Sequence, residues 1–174
     1  MDNLILRKLN ILDKEDFSLY LKELILESGT LKGVVFEDGL CFEELLNFYN
    51  EKEQIPFTDY KQKEFPFYQY VLAKKDSNKI VGAIVIRPFL TEELDKNFEG
   101  NIGYSIRTSA RGNGYGNVAL SLAIKEFRLL NPNDKITMCC YKENEASKKI
   151  IIRHGGKLVE EIKGVLTPQK YIID

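Results

Sequence analysis

The sequence predicts an α/β fold in which a mixed sheet carries helices on both faces. Its 174 residues, 44% of them hydrophobic, suit one globular domain spanning residues 1–174. Strand and helix patterns follow the order β-α-α-β-β-β-α-β-α-β-β, so helices alternate with strands only in the second half. A purely parallel sheet would need more crossover helices than this order supplies, which favours the mixed arrangement.

The first half of the chain predicts a strand, two amphipathic helices and a hairpin. A short apolar run at 4–9 is typical of a strand. Asp13 then opens a helix that ends near Gly29, and its apolar positions recur at three- and four-residue spacing: Phe17, Tyr20, Leu21, Leu24 and Ile25. The later elements are a helix at 42–53, a proline-containing loop at 54–66, and strands at 68–74 and 79–87 joined by a turn at 75–78.

The second half alternates strands with helices. A polar segment after Pro88 leads to a strand at 101–107, and a glycine-rich turn then precedes a helix at about 117–130. The remaining predicted elements are a strand at 135–141, a helix at 144–153, and a hairpin of strands at 157–162 and 169–173 around Gly164.

Charge and composition argue against several functional classes. Lys and Arg total 25 against 26 Asp and Glu, a net charge of −1, so we expect no nucleic-acid partner. The three cysteines form no C-x-x-C pair and the chain has a single histidine, so we expect no metal site. The apolar run around 80–86 is too short to span a bilayer, and the first residues lack a signal-peptide pattern. We therefore expect a cytoplasmic protein without a membrane partner.

The segment 111–116 (RGNGYG) is a glycine-rich turn between a predicted strand and a predicted helix. Alternate glycines allow positive φ and the close approach of a ligand or another backbone. The N–H groups of such a turn attract an anion, and Arg111 adds a positive charge. The segment lacks the Lys-Ser or Lys-Thr of a P-loop and the G-x-G-x-x-G spacing of dinucleotide-binding turns. It indicates either a diphosphate site or a turn that serves chain geometry alone.

The same segment resembles the signature of the GNAT superfamily of acyl-CoA-dependent N-acetyltransferases, [Q/R]-x-x-G-x-[G/A], which opens the helix after a central strand. Arg111, Gly114 and Gly116 match it position by position. A second family element, an Asn-Glu-x-Ala-like helix start, is similar to 144–147 (NEAS), and the helix ends at Gly155. Residues 79–173 resemble the superfamily throughout. The resemblance implies a mostly antiparallel mixed sheet with a splayed central strand pair.

The resemblance implies acetyl-CoA as the co-substrate. The peptide groups of Ile106 and Thr108 would pair with the pantetheine amides like an added strand, and 112–116 would wrap the pyrophosphate. Asn144 would hydrogen-bond the pantetheine arm, with a helix N-cap as an equal alternative. The full set expected to bind acetyl-CoA is Ile106, Arg107, Thr108, Arg111, Gly112, Asn113, Gly114, Tyr115, Gly116, Asn117, Asn144 and Ser147.

Three residues near strand 101–107 are candidates for catalysis: Glu99, Tyr104 and Ser105. Glu99 lies where some superfamily members keep a catalytic glutamate, and an exposed loop carboxylate is the alternative. Tyr104 and Ser105 alternate across the strand, so one of them should face the acceptor tunnel. Many relatives carry a tyrosine seven residues after the Asn to protonate the departing thiolate, and here that position is Ile151. A free thiol has a pKa of roughly 8.5, so its thiolate can leave without that acid.

The expected function is N-acetylation of a small-molecule amine or peptide by a monomer or homodimer. Aromatic and acidic residues in 36–67 would suit a cationic acceptor, or would simply form helix core and solvated surface. Arg87 could hold an acceptor carboxylate, or could be an ordinary surface arginine. Two other functions stay open: an acyl-CoA-binding sensor without turnover, and a structural protein that keeps only the fold.

Overall fold

The computed structural model describes residues 3–28, 33–55, 66–163 and 167–174. The strands are β1 (Leu4–Arg7), β2 (Tyr68–Lys74), β3 (Ile80–Ile86), β4 (Ile102–Ile106), β5 (Ile136–Tyr141), β6 (Lys157–Glu161) and β7 (Pro168–Ile173). The helices are α1 (Lys14–Ser28), α2 (Phe42–Glu53), α3 (Glu92–Lys96), α4 (Tyr115–Leu130) and α5 (Glu145–Arg153). Short 3₁₀ turns at Ile11–Asp13 and Thr108–Ala110 precede α1 and follow β4.

The strands form two antiparallel sheets, in the orders β1-β2-β3-β4 and β5-β7-β6. The sheets meet at one point, where the Asn101 N–H donates to the Thr137 carbonyl at 2.8 Å. The Asn101 side-chain oxygen accepts from the Thr137 N–H at 2.7 Å. A Cβ added at Gly100 would lie 2.7 Å from the Thr137 carbonyl oxygen, so glycine permits this contact. Beyond this point β4 and β5, both described along their whole length, are not hydrogen-bonded to each other and belong to different sheets.

Two hydrophobic clusters cover the opposite faces of the first sheet. On one face Phe17 and Tyr20 of α1 pack with Ala83 of β3. On the other face Phe127 of α4 packs with Ile84 of β3. Every residue of β3 is buried, in keeping with its uninterrupted apolar sequence. Burial of each large side chain contributes about 1.5–3 kcal/mol, so the two clusters fix β3 and, through it, the position of β4.

The predicted fold class is confirmed, with local corrections. The helix at 42–53 and the strand at 68–74 have the predicted bounds, and the first strand ends at Arg7 rather than at residue 9. The helix predicted from 117 begins at Tyr115, because Gly114 at φ 75° is already its N-cap. The polar segment after Pro88 contains α3, a helix that no apolar period in the sequence predicts. Gly29, Gly164 and most of the loop at 54–66 lie outside the described residues.

Candidate active site

A cavity of about 400 Å³ lies in the gap between β4 and β5. Because side chains alternate along a strand, the residues that line this cavity lie on two opposite faces of the two sheets. The face covered by α4 and α5 contributes Tyr104, Met138, Cys140, Ser147 and Ile151. The face covered by α1 and α2 contributes Gly33, Arg87, Glu99, Gly103 and Cys139. The cavity therefore joins the two faces through the opening in the sheet.

The β4 backbone presents unpaired peptide groups to this opening. The Arg107 N–H donates to the Val81 carbonyl at 2.9 Å and the Arg87 N–H donates to the Asn101 carbonyl at 2.7 Å. In an antiparallel ladder such hydrogen-bonded pairs alternate with pairs whose peptide groups point away. Tyr104 and Ile106 occupy the alternate positions, so their peptide groups turn toward β5. The Ile106 carbonyl already accepts from Arg111 Nε at 3.1 Å, so the groups without a partner in the described structure are the Ile106 N–H and both peptide groups of Tyr104. This is the geometry by which an extended ligand adds itself to a strand.

A phenol stands at the α5 end of the cavity. The Tyr104 hydroxyl donates to the Ser147 hydroxyl at 3.4 Å. Burial raises the pKa of Tyr104, so this phenol keeps its proton throughout the neutral range. Asn144 is the N-cap of α5, and its side-chain oxygen accepts from the Ser147 N–H at 3.1 Å. Ile151 is fully buried at the same end, so α5 itself presents an aliphatic side chain there.

A charged pair stands at the opposite end of the cavity. Arg87 Nη2 lies 3.2 Å from Glu99 Oε2, and Arg87 Nη1 donates to the Gly100 carbonyl at 3.0 Å. Burial lowers the pKa of Arg87. Cys139 lies nearby on β5, and burial raises the pKa of its thiol to about 12, so it is a thiol and not a nucleophilic thiolate at neutral pH. Glu99 is therefore the candidate proton acceptor among the side chains of this end.

The glycine-rich turn has the conformation of an anion site. Gly112 and Gly114 have φ of 80° and 75°, and a Cβ added at either would meet no described atom within 4 Å. Among the described residues, the backbone N–H groups of 112–116, which include the first of α4, find no backbone acceptor. The side-chain oxygen of Asn117, in the first turn of α4, is buried without a donor in the described structure. The start of α4 therefore combines backbone N–H groups that have no backbone acceptor among these residues with open space in front of Gly112 and Gly114.

The other residues of the turn have packing contacts. Gly116 lies against α5, because an added Cβ would come within 2.8 Å of Ile150 Cδ1. The Asn113 amide donates to the Ala110 carbonyl at 3.1 Å. Tyr115 is half-buried against the core under α4. These contacts stabilise the conformation of the turn and use none of its backbone N–H groups.

The Arg111 guanidinium is already paired with an acid. It contacts Glu27 of α1, and its Nε donates to the Ile106 carbonyl at 3.1 Å. Thr108 also donates to Glu27, at 2.8 Å. Hydrogen bonds from Thr108 and Arg111 lower the pKa of Glu27. Arg111 is half-exposed beside the glycine-rich turn, so a phosphate there would compete with Glu27 for the same cation.

Two predicted site residues point away from the cavity. Ser105 faces α1, where its hydroxyl shares a 2.5 Å hydrogen bond with the buried Tyr20 hydroxyl. Arg107 is 3% exposed, and its guanidinium bonds Asp16 and Glu23 at 2.6 and 2.7 Å. Its N–H and carbonyl are both engaged by backbone partners. The structure therefore gives Arg107 a structural position, with its guanidinium buried between α1 and β3 and directed away from the cavity.

One lining residue carried no signal in the sequence. Gly33 has φ 73°, and a Cβ added there would lie 2.5 Å from the Tyr104 carbonyl carbon. Only glycine therefore lets the chain at this position, just before Val34 and Val35, pass so close to β4. The segment is held in place because the Val35 N–H donates to the Gln69 side chain at 3.0 Å. A single glycine before Val-Val gave no reason to expect this contact.

Comparison with known proteins identifies the fold. The model of a family described as acetyltransferase (GNAT) domain matches residues 3–157. The yncA protein of Salmonella typhimurium, solved with its cofactor acetyl-CoA, has 12% identity and a TM-score of 0.66 over 99% of this chain and 94% of its own. The ribosomal-protein-S5-alanine acetyltransferase of Vibrio fischeri has 14% identity and a TM-score of 0.68, covering 99% and 93%. RimL, a ribosomal L7/L12 α-N-protein acetyltransferase solved in complex with coenzyme A, has 15% identity and a TM-score of 0.67. The match covers 99% of this chain and 94% of RimL.

No curated protein matches by sequence. Within the described ranges no helix is long and apolar enough to cross a membrane. The same residues contain no group of three or more His, Cys, Asp or Glu side chains placed to hold a metal ion.

Proposed function

Because the chain belongs to the GNAT acetyltransferase family, we propose that it transfers the acetyl group of acetyl-CoA directly to the amine nitrogen of an acceptor. The cavity between β4 and β5 carries this proposal. It connects the face with the glycine-rich turn to the face with Glu99. A thioester entering from one face and an amine entering from the other would meet inside it.

The residues present fit acetyl-CoA. The open N–H groups of 112–116 suit its pyrophosphate. The Ile106 N–H and the outward peptide groups of Tyr104 suit its pantetheine amides, while the Ile106 carbonyl is bound by Arg111 Nε. The Asn144 amide nitrogen has no partner among the described residues and adds a donor beside the cavity. Acetyl-CoA supplies the activated thioester. The Arg107 side chain and Ser105 have no place in this proposal, because both face α1.

Two side chains transfer protons in the proposed reaction, Glu99 as the base and Tyr104 as the acid. Transfer forms a carbon–nitrogen bond, breaks the carbon–sulfur bond, and moves one proton from the amine to the sulfur overall. Glu99, at the amine end, accepts the proton of the acceptor. Tyr104, at the other end, is protonated at neutral pH because burial raises the pKa of its phenol. It donates this proton to the departing thiolate. Tyr104 on β4 thus supplies the phenol that the Ile151 position of α5 lacks.

Two measurements test the proposal. Acetyl-CoA at 100 times its dissociation constant should stabilise the folded protein by about 2.7 kcal/mol, measured by thermal unfolding. Release of free thiol from acetyl-CoA should depend on an added amine, and Glu99→Gln should lower kcat by roughly 100-fold or more. Glu93→Gln, an exposed carboxylate on α3, is the matched control and should keep the parent rate. Absence of stabilisation by acetyl-CoA would contradict both binding and transfer.

The buried Ile151 favours one second candidate, an acyl-CoA-binding sensor that does not turn over. Such a protein would be stabilised by acetyl-CoA to the same extent. It would release no thiol with any amine, and Tyr104→Phe would leave its ligand response unchanged. Thiol release above the uncatalysed rate therefore separates the two functions.

A further inference from the structure

Arg87 is held rigidly at the acceptor end of the cavity. It follows the last residue of β3, and its backbone N–H and carbonyl are both bound by Asn101, at 2.7 and 3.0 Å. Its side chain is buried, and one Nη1–H bond to the Gly100 carbonyl fixes the guanidinium plane. Side chains held this way lose little entropy when they bind a ligand, which is why rigid arginines suit specific recognition.

The positive charge of Arg87 is incompletely paired. A guanidinium has five N–H donors. The Gly100 carbonyl takes one and Glu99 faces a second, which leaves three without an acceptor among the described residues, Nε included. The Glu99 side chain is 42% exposed, so solvent screens its interaction with Arg87. A buried cation with free donors is costly unless an anion completes its shell.

We infer that the Arg87–Glu99 pair recognises a free α-amino acid, with the acceptor carboxylate on Arg87 and its amine on Glu99. The inference rests on the proposed function and names the substrate class of that same site. An α-amino acid carries its two opposite charges on adjacent groups, matching the two charges that this pair presents side by side. The carboxylate would give Arg87 the acceptors it lacks, and Glu99 would hold the amine that it deprotonates.

The space around the pair suits a small acceptor. Gly103 places no side chain beside Arg87: a Cβ added there would lie 3.8 Å from Arg87 Nη1 and 3.0 Å from Val85 Cγ1. A volume of about 400 Å³ lies at the small end of ligand pockets, which span roughly 300–1,000 Å³. Lys96 adds a second positive charge to the lining. A peptide amino terminus has a neutral amide where an amino acid has its carboxylate, and would leave Arg87 incompletely paired.

The test compares thiol release from acetyl-CoA with the standard L-α-amino acids, their α-amides, and the matching amines without a carboxylate. For the best amino acid, kcat/KM should exceed that of its amide by about 10- to 100-fold, the usual effect of removing one charge-assisted pairing. Arg87→Gln should reduce this ratio to near unity, and Arg87→Lys should reduce it in part because it keeps charge but loses the planar fork. Arg128→Gln, at the far end of α4, should keep the parent ratio. A ratio within one variant does not depend on how much of that variant folds.

Each outcome decides between the inference and the function on which it rests. Equal rates for amino acid and amide, or a preference that survives in Arg87→Gln, would overturn the inference. Acetylation of peptides or simple amines but not of amino acids would keep the proposed transfer and overturn the acceptor class. An amino acid that stabilises the coenzyme A complex in an Arg87-dependent way without thiol release would support the acceptor class and reject transfer. If no amino acid either reacts or stabilises that complex, the inference is wrong.

Discussion

Gly114→Ala should abolish most acetyl-CoA binding while leaving the protein folded. Gly114 has φ 75°, and an added Cβ meets no atom of the described residues within 4 Å, so the methyl group would not collide with any of them. It would instead occupy the open space in front of the N–H groups of 112–116, where a pyrophosphate would lie. The structural cost is the backbone conformation, about 1–2 kcal/mol for an L-residue in the left-handed region.

The chain contains a matched control for this backbone cost. Gly39 has φ 86°, and an added Cβ there also meets no described atom within 4 Å. Gly39 lies in the segment between α1 and α2, and is not among the residues that line the cavity. Gly39→Ala should therefore lose the same 1–2 kcal/mol of stability, roughly, and should bind acetyl-CoA like the parent.

The difference between the two variants isolates the ligand contact. Loss of one or two charge-assisted hydrogen bonds at about 1.5–3 kcal/mol each would raise the dissociation constant by roughly 10-fold to more than 100-fold. Calorimetric titration with acetyl-CoA measures that constant, and denaturant unfolding measures stability in the same preparations. Parent-like affinity in Gly114→Ala, or an equal loss in Gly39→Ala, would refute the assignment of the pyrophosphate to this turn.

Three further predictions concern charged and phenolic groups. Arg111→Ala should weaken coenzyme A more than a pantetheine fragment without the diphosphate, measured by calorimetry, and equal losses would remove Arg111 from the phosphate site. Because burial raises the pKa of Tyr104, the falling limb of the parent pH–rate profile should lie above roughly pH 10, and Tyr104→Phe should lose that limb together with rate. Arg107→Gln should lower the free energy of unfolding by about 2–4 kcal/mol, since Asp16 and Glu23 lose their buried partner, yet keep the acetyl-CoA affinity of the parent. A weakened affinity in folded Arg107→Gln would contradict its structural position.

Local patterns predicted most of the elements. The helix at 42–53 and the strand at 68–74 are set by apolar spacing within each segment, which the sequence displays directly. Helix α3 has only five residues and none of them is buried, so no apolar period marks it. Its local signals are the acidic residues of its first turn and Thr91, whose hydroxyl accepts from the Leu94 N–H at 3.2 Å as an N-cap does.

The orientation of site residues depends on contacts that no local pattern reveals. Alternation requires Tyr104 and Ser105 to face opposite sides, but does not say which side holds the cavity. The choice is made by distant partners, Tyr20 for Ser105 and Ser147 for Tyr104. Arg107 was likewise expected to bind the cofactor because of its place in the chain, whereas Asp16 and Glu23 of α1 engage it across the fold. The family resemblance predicts that this strand contacts the ligand, but tertiary packing determines the direction in which each of its side chains points.

Asn101 links the junction of the two sheets to Arg87, the residue proposed to bind the acceptor carboxylate. All of its polar groups are engaged: the N–H and side-chain oxygen bind Thr137 of β5, and the carbonyl and side-chain nitrogen bind Arg87. Asn101 is 5% exposed, so none of these bonds is readily exchanged for water. The point where the two sheets meet, which sets where β4 and β5 begin to diverge, is therefore also the point that fixes the backbone of Arg87. One asparagine thus sets the distance from the splayed strands, where the thioester would lie, to the guanidinium that would orient the acceptor.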